Sequence, residues 1–321
     1  MASFTRGPAN VDDILASTLD EYRDKLTENW VSGNPLTKKL MEQGNMDLID
    51  GGNDIIESLE YDDNDTAAWI NQTDTVSTTV TPMFTDARFA WAVLGGTVTI
   101  GDHDLAKNTG RNQRFNLLRA RMTNLEATFK EKFETALGAS STPDTKTMWS
   151  LPDIVDSSNP TIANLGDISR STYSWWQATE TASGSMATQG LEDIRTAYYT
   201  TSRSQTDPVN MIVTTQTIYE AYQARHTPFM RFASNDKADL EFDHLLFNNK
   251  PVFYSENMAT GLLIGINTKY LRLRVNKNLN FHYAPDVRPL GGASATKLVQ
   301  TMCQLTVTRP GSLFKLTGMV A

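Results

Sequence analysis

A single run of helical periodicity constrains this chain more than any other feature. From about Arg111 to Leu137, the residues Phe115, Leu118, Met122, Leu125, Phe129 and Phe133 recur every three or four positions. That spacing puts one apolar stripe along a helix roughly 40 Å long. Asn108 or Thr109 suits its cap, and Gly138 its stop. A strut of that length must lay its stripe on something, and the segments before and after it are β-prone. The order of strands, long helix, mixed region and final strands reads as an α+β fold.

Ahead of the helix, Asp50 to Asn53 form a turn, Ile55 to Tyr61 a strand, and Asp62 to Asp65 an acidic turn. Residues 71–82 (NQTDTVSTTVTP) are β-prone through Thr and Val but lack large apolar side chains, so they cannot close a core and read as a projecting hairpin. The chain returns through Phe89, Trp91 and Val93, which share one face by period two, then through Val98 and Ile100. After the helix, Val209 to Val213 reads as a buried strand feeding a helix with Ile218, Tyr219 and Tyr222. In the tail, Leu271, Leu273 and Val275 alternate with Arg272 and Arg274, and Leu305 and Val307 with Thr306 and Thr308. These late strands are expected to pair with the early ones, which makes residues 150–268 an insertion. At the start, Val11, Ile14, Leu15, Leu19, Tyr22 and Leu26 form an amphipathic helix that Gly33, Asn34 and Pro35 end, an arm and not a domain.

Composition removes several function classes. A chain of 321 residues that is 40% hydrophobic and 21% charged can build about two cores, and Cys303 is its one cysteine, so no internal disulfide is available. No stretch is long and apolar enough to span a bilayer, and residues 1–13 lack the pattern of a signal peptide, so no membrane partner is expected. A net charge of −8 argues against gripping nucleic acid without regard to sequence.

Catalytic and metal chemistry find no anchor. Asp102, His103 and Asp104 are consecutive and cannot all face one ion. His226, His244 and His282 are widely separated. The Asp62 to Asp65 run has Ala67 where a calcium loop needs glycine. There is no Gly-x-Ser-x-Gly elbow, Walker pattern or dinucleotide fingerprint, and no histidine is near Cys303 in sequence. The chain is expected to be no enzyme and to need no cofactor.

The segment Gly166 to Trp176 (GDISRSTYSWW), with Asn53 to Trp69, Asp207 to Tyr222 and Asn267 to Val275, resembles the major capsid proteins of tailed bacteriophages, which share the Hong Kong 97-type fold. The resemblance implies an N-terminal arm over residues 1–45. It implies a peripheral domain over 46–149 and 269–321, holding an extended loop (about 62–91) and a spine helix (about 111–137), and an axial domain over 150–268. It further implies self-assembly into hexamers and pentamers of an icosahedral shell around double-stranded DNA, in a virion assembled in the bacterial cytoplasm. A portal protein, a separate scaffolding protein and a decoration protein are the other partners implied. Scaffolding is expected to be separate because the arm starts within ten residues of Met1. The prototype's cross-link from a loop lysine is not expected, since no lysine lies between Lys39 and Lys107.

The inter-subunit contact candidates are Thr73, Val76, Val80 and Phe84 on the loop, Arg88 beyond it, Arg114 and Arg119 on the helix, and Trp175 with Trp176. Adjacent tryptophans place one ring inward and one outward. Lys107, Arg111, Arg114, Arg119 and Arg121 crowd the helix start against its dipole, which suggests an acidic partner such as the arm's Asp12, Asp13, Asp20, Glu21 and Asp24. Two rival readings are an encapsulin-like nanocompartment shell, holding enzyme cargo, and a β-rich carbohydrate-binding or hydrolytic protein.

Overall fold

The computed structural model describes residues 37–38, 44–63, 66–67, 69–72, 74–75, 78–79, 82–101, 111–139, 146–157, 162–202, 207–230, 245–284 and 294–321. The arm, the Asp102–His103–Asp104 triplet, His244, Thr73, Val76 and Val80 lie outside that description, as do the side chains of Arg114, Arg119 and His226.

In chain order the first strands are β1 (Met46–Ile49), β2 (Asp54–Glu60), β3 (Phe84–Ala90) and β4 (Ala92–Gly101), followed by helix α1 (Arg111–Gly138) and the short α2 (Leu151–Ile154). Next come β5 (Asn164–Leu165), β6 (Ile168–Ser169), β7 (Thr179–Ala182), α3 (Leu191–Thr201), β8 (Met211–Thr214) and α4 (Gln216–Met230). The remainder is β9 (Leu245–Phe247), β10 (Lys250–Tyr254), β11 (Leu263–Ile266), β12 (Leu271–Asn276), β13 (His282–Tyr283), β14 (Ser294–Val307) and β15 (Phe314–Thr317). The chain forms two compact units: Met1–Gly51 with Trp91–Ser150 and Arg272–Leu305, and Gly52–Ala90 with Leu151–Leu271 and Thr306–Ala321.

The first unit lays α1 on a sheet ordered β1-β12-β14-β13, with β4 also paired to β14. The helical stripe is real: Met122, Phe129, Phe133 and Leu137 are buried, each worth about 1.5–3 kcal/mol of transfer free energy. Gly96 on β4 permits the close approach, because a Cβ there would stand 2.6 Å from Leu125 Cδ1 and 3.1 Å from Phe129 Cζ. Phe129 also meets Phe281 edge-on at 5.9 Å. The late strands pair with early ones here: β12 runs parallel to β1, and β14 antiparallel to β4 from Ser294↔Gly101 to Cys303↔Ala92. Asp47 stands opposite Arg274 and pairs with it and with Arg272, a cross-strand charge match.

The second unit is built on a mixed sheet ordered β7-β15-β11-β8-β10-β9. Its core gathers Ile194 and Tyr198 from α3, Ile218 and Tyr222 from α4, and Ile212, Val252, Leu263 and Phe314 from the strands. Here the expected pairing of the tail is corrected, since β15 joins β11 and β7 and neither early strand. The β2–β3 hairpin belongs to this unit, in register from Asp54↔Ala90 to Glu60↔Phe84. Its inner face buries Ile55, Leu59, Ala87 and Phe89.

Two further expectations change. Residues 71–82 carry no strand among the described residues, and the hairpin's paired part is β2 with β3. The face shared by Phe89, Trp91 and Val93 does not persist: the strand breaks at Trp91, Ala92 turns inward and Val93 is 50% exposed. In the tail, Thr306 is fully buried and its hydroxyl donates to Glu57 Oε1 at 2.8 Å.

Candidate interaction surface

The segment Gly166 to Trp176 works as an internal pin with one outward element. Gly166 and Asp167 both have positive φ, 58° and 64°, the signature of a two-residue turn joining β5 to β6. Gly166 is needed twice over, for its φ and because a Cβ would stand 3.0 Å from both Ala87 Cβ and Phe89 Cζ. Arg88 N donates to Gly166 O at 2.9 Å, which ties the turn to β3. Arg170 is wholly buried: its Nη2 donates to Asp153 O at 2.6 Å and Ile154 O at 3.2 Å, and Nη1 lies 3.9 Å from Asp156 Oδ2. Burial pulls its guanidinium down to about 10, against the opposing charges of Asp156, Asp153 and Glu180. Lys315 joins from β15, 3.3 Å from both Asp156 and Glu180.

The tryptophan doublet splits as its spacing predicts. Trp176 is 1% exposed, and its Nε1 donates to Leu165 O at 2.8 Å. Its place among the contact candidates is therefore corrected: the ring lies within its own chain and has no surface to offer a neighbour. Trp175 is half-buried and faces outward, stacked on Tyr61 at 5.4 Å and 23°, with Tyr173 at 5.9 Å.

Trp175 and Tyr61 wall a groove of about 860 Å³ at the root of the hairpin, completed by Glu60, Tyr270, Arg309 and Gly311 among others. The far side is held rigid by Asp207. Its carboxylate accepts from Tyr270 Oη and from Asn267 Nδ2 at 3.1 Å, and lies 3.7 Å from Lys269 Nζ and 3.8 Å from Arg309 Nη1. Partial burial would raise its pKa, but the Tyr270 and Asn267 hydrogen bonds and the two cations outweigh that and hold it below the ordinary value. Lys269 and Arg309 also flank the Tyr270 ring at 5.2 and 5.6 Å.

The hairpin's outer face is the second surface feature. Ile56 is 57% and Phe84 69% exposed, and Arg88 stands opposite Ile56 with its side chain outward. Two of the contact candidates, Phe84 and Arg88, thus share one face with Ile56, which sequence reading did not single out. Beyond the hairpin, Trp69 is fully exposed. Tyr61, Tyr270, Arg309, Asp207 and Trp69 were not legible as a set, because they come from four separate stretches. The only local signal was an aromatic residue standing beside a run of polar ones.

Other chemistry is muted. Arg121 donates to Thr99 O, so this member of the basic helix start serves its own unit. Among the described residues, no three His, Cys, Asp or Glu side chains are grouped to hold a metal ion, and no helix is long and apolar enough to cross a membrane. Cys303 is buried, which pushes its thiol up to about 12.

The two-unit α+β architecture, with a long helix on one sheet and a hairpin leading to a coreless loop, is that of viral shell subunits. More particularly, it is the Hong Kong 97-type fold of tailed-phage major capsid proteins. The cyanophage A-1(L) capsid superposes with a TM-score of 0.59 at 14% identity, covering 87% of this chain and 91% of that one. The capsid of the native GTA particle gives 0.60 at 10% identity over 87% and 89%. The SrpI encapsulin of Synechococcus elongatus PCC 7942 gives 0.52 at 13% identity over 89% and 88%. No family model and no curated protein matches the sequence.

Proposed function

We propose that this chain is a major capsid protein that assembles into hexamers and pentamers of an icosahedral shell enclosing phage double-stranded DNA. The observation that carries the reading is the breadth of the likeness, which reaches 87% of the chain in a phage capsid. The fold also presents what a shell subunit needs and a monomer does not: a hairpin with apolar side chains outward and a loop with no core of its own. In this reading residues 1–45 form an arm, about 62–91 the loop that laps a neighbour, and α1 the spine helix of the peripheral domain. Phe84, Arg88 and Trp175 are the described contact residues, and Thr73, Val76, Val80, Arg114 and Arg119 extend the set. The role is structural and not enzymatic. The partners are further copies, a portal, a separate scaffolding protein, DNA on the inner surface and a decoration protein, in a virion assembled in the host cytoplasm.

Negative-stain electron microscopy with sedimentation velocity, on the chain alone and with a scaffold-like partner, tests this. Closed shells or capsomers are expected; a monomer under both conditions would sink the reading. The likeness to an encapsulin keeps a second reading, a nanocompartment shell. Nuclease-protected DNA inside purified particles decides for the capsid, and an enzyme cargo for the compartment.

A further inference from the structure

Trp69 is 104% exposed relative to its reference area, and Ile70 beside it is 54% exposed. An indole bare to water on both faces is an unusual feature, and tryptophans seated in pockets are among the strongest anchors of protein interfaces. The loop presents it by defined contacts. Tyr61 N donates to Met83 O at 3.0 Å at the loop root. Asn71 N donates to Asp74 Oδ2 at 2.8 Å and Asp74 N to Asn71 O at 3.1 Å, closing a turn that Trp69 and Ile70 enter.

The groove at the hairpin root has the chemistry an indole requires. Tyr61, Trp175 and Tyr270 supply flat apolar walls. Arg309 is a half-exposed guanidinium 5.6 Å from one of those rings, placed to lie over a second ring. Exposed Glu60 also lines the groove, and its carboxylate is the type of acceptor that an indole N–H, which can only donate, requires. Gly311 keeps one wall low, and the volume of about 860 Å³ is within the range of sites that enclose whole side-chain-sized ligands.

We propose that this groove receives Trp69 of a second copy of the chain. An anchor on one copy seated in the groove of the next makes a heterologous contact, which repeats head to tail and gives a ring where the rotation between copies closes. One tryptophan covers about 150–250 Å². A lasting interface needs about 1,000 Å² or more, so the contact is one anchor within a larger surface, to which Ile56 and Phe84 on the hairpin contribute. This inference rests on the shell reading and names the contact by which neighbouring subunits lock.

Cysteine cross-linking tests it with Trp69 left in place. Ile70→Cys chains are mixed with Gly311→Cys chains under mild oxidation; Cys303, 3% exposed, stays silent. Disulfide-linked dimers are expected in the mixture, and their loss when Trp69→Ala is added to the Ile70→Cys chain. Gly311→Leu, which fills the groove from a position where a Cβ meets only Gln177 O at 3.5 Å, is expected to act like Trp69→Ala. Each should raise the concentration needed for assembly by about tenfold or more. No cross-link in the mixture, or one indifferent to Trp69, overturns the proposal. So does closure confined to single chains carrying both cysteines. Shells from wild type, Trp69→Ala and Gly311→Leu at equal concentration would overturn it while leaving the shell reading intact; a wild-type chain that never assembles defeats that reading first, and cross-linking still judges the groove.

Discussion

Arg170 shows how much one side chain can hold. It reaches the carbonyls of Asp153 and Ile154 and the Asp156 carboxylate from a fully buried position, while its neighbour in sequence, Trp176, pins Leu165. Removing it takes the guanidinium donor from both carbonyls and one of two cations from the Asp156 carboxylate, in a site that water does not reach. Arg170→Ala should cost about 3 kcal/mol or more, read as a lowered denaturant midpoint; a shift under about 0.5 kcal/mol would mean that the carbonyls find other donors. Asp156 carries the matching pH dependence. Burial alone would raise its pKa, but Glu180, Lys315 and Arg170 hold it below 3.8. The stability this contributes is fully present above about 3.8 and is lost as pH falls through the lower, folded-state value. Asp156→Asn should therefore flatten the fall of stability below about pH 4, whatever it does to stability at neutral pH. An unchanged acid slope would assign that fall to other carboxylates.

At the scale of elements, α1 and the β2–β3 hairpin follow opposite rules. The helix is held by a stripe meeting a sheet at Gly96 of β4, where no side chain stands in its way. Gly96→Val would drive atoms into Leu125 and Phe129, so it should destabilise by about 1–3 kcal/mol and lower Tm, and a neutral result would mean that α1 can shift on the sheet. The hairpin, by contrast, ends in a loop whose described residues are exposed but for partly covered Tyr61, Thr66 and Met83, so removing its exposed middle should leave the fold alone. Deleting residues 74–81 is expected to give a chain with wild-type circular dichroism and Tm that sediments as a monomer. Normal particles from the deletion would show that the loop takes no part in assembly.

For the whole molecule, assembly is expected to depend on many non-covalent contacts acting together, because a loop without lysine cannot supply the amine for a lysine cross-link. Mature particles boiled in denaturant should run as a single band near 35.7 kDa, and a ladder of larger species would refute this. Much of this architecture was legible in the chain itself. The three- and four-residue spacing from Met122 to Phe133 specified α1 and the Leu271–Val275 alternation specified β12, because each of these is a local periodicity that one segment expresses alone. Even the split of Trp175 from Trp176 follows from adjacency. What tertiary structure alone decided is every feature that depends on residues far apart meeting. The last strand, β15, joined the other sheet and not the early strands, since a four-residue run carries too little pattern to select its partners before the core is closed. Thr306 became a buried partner of Glu57, 249 positions away in sequence. The groove of Tyr61, Trp175, Tyr270 and Arg309 came into being only when four stretches of chain converged, and side-chain periodicity carries no information about such meetings.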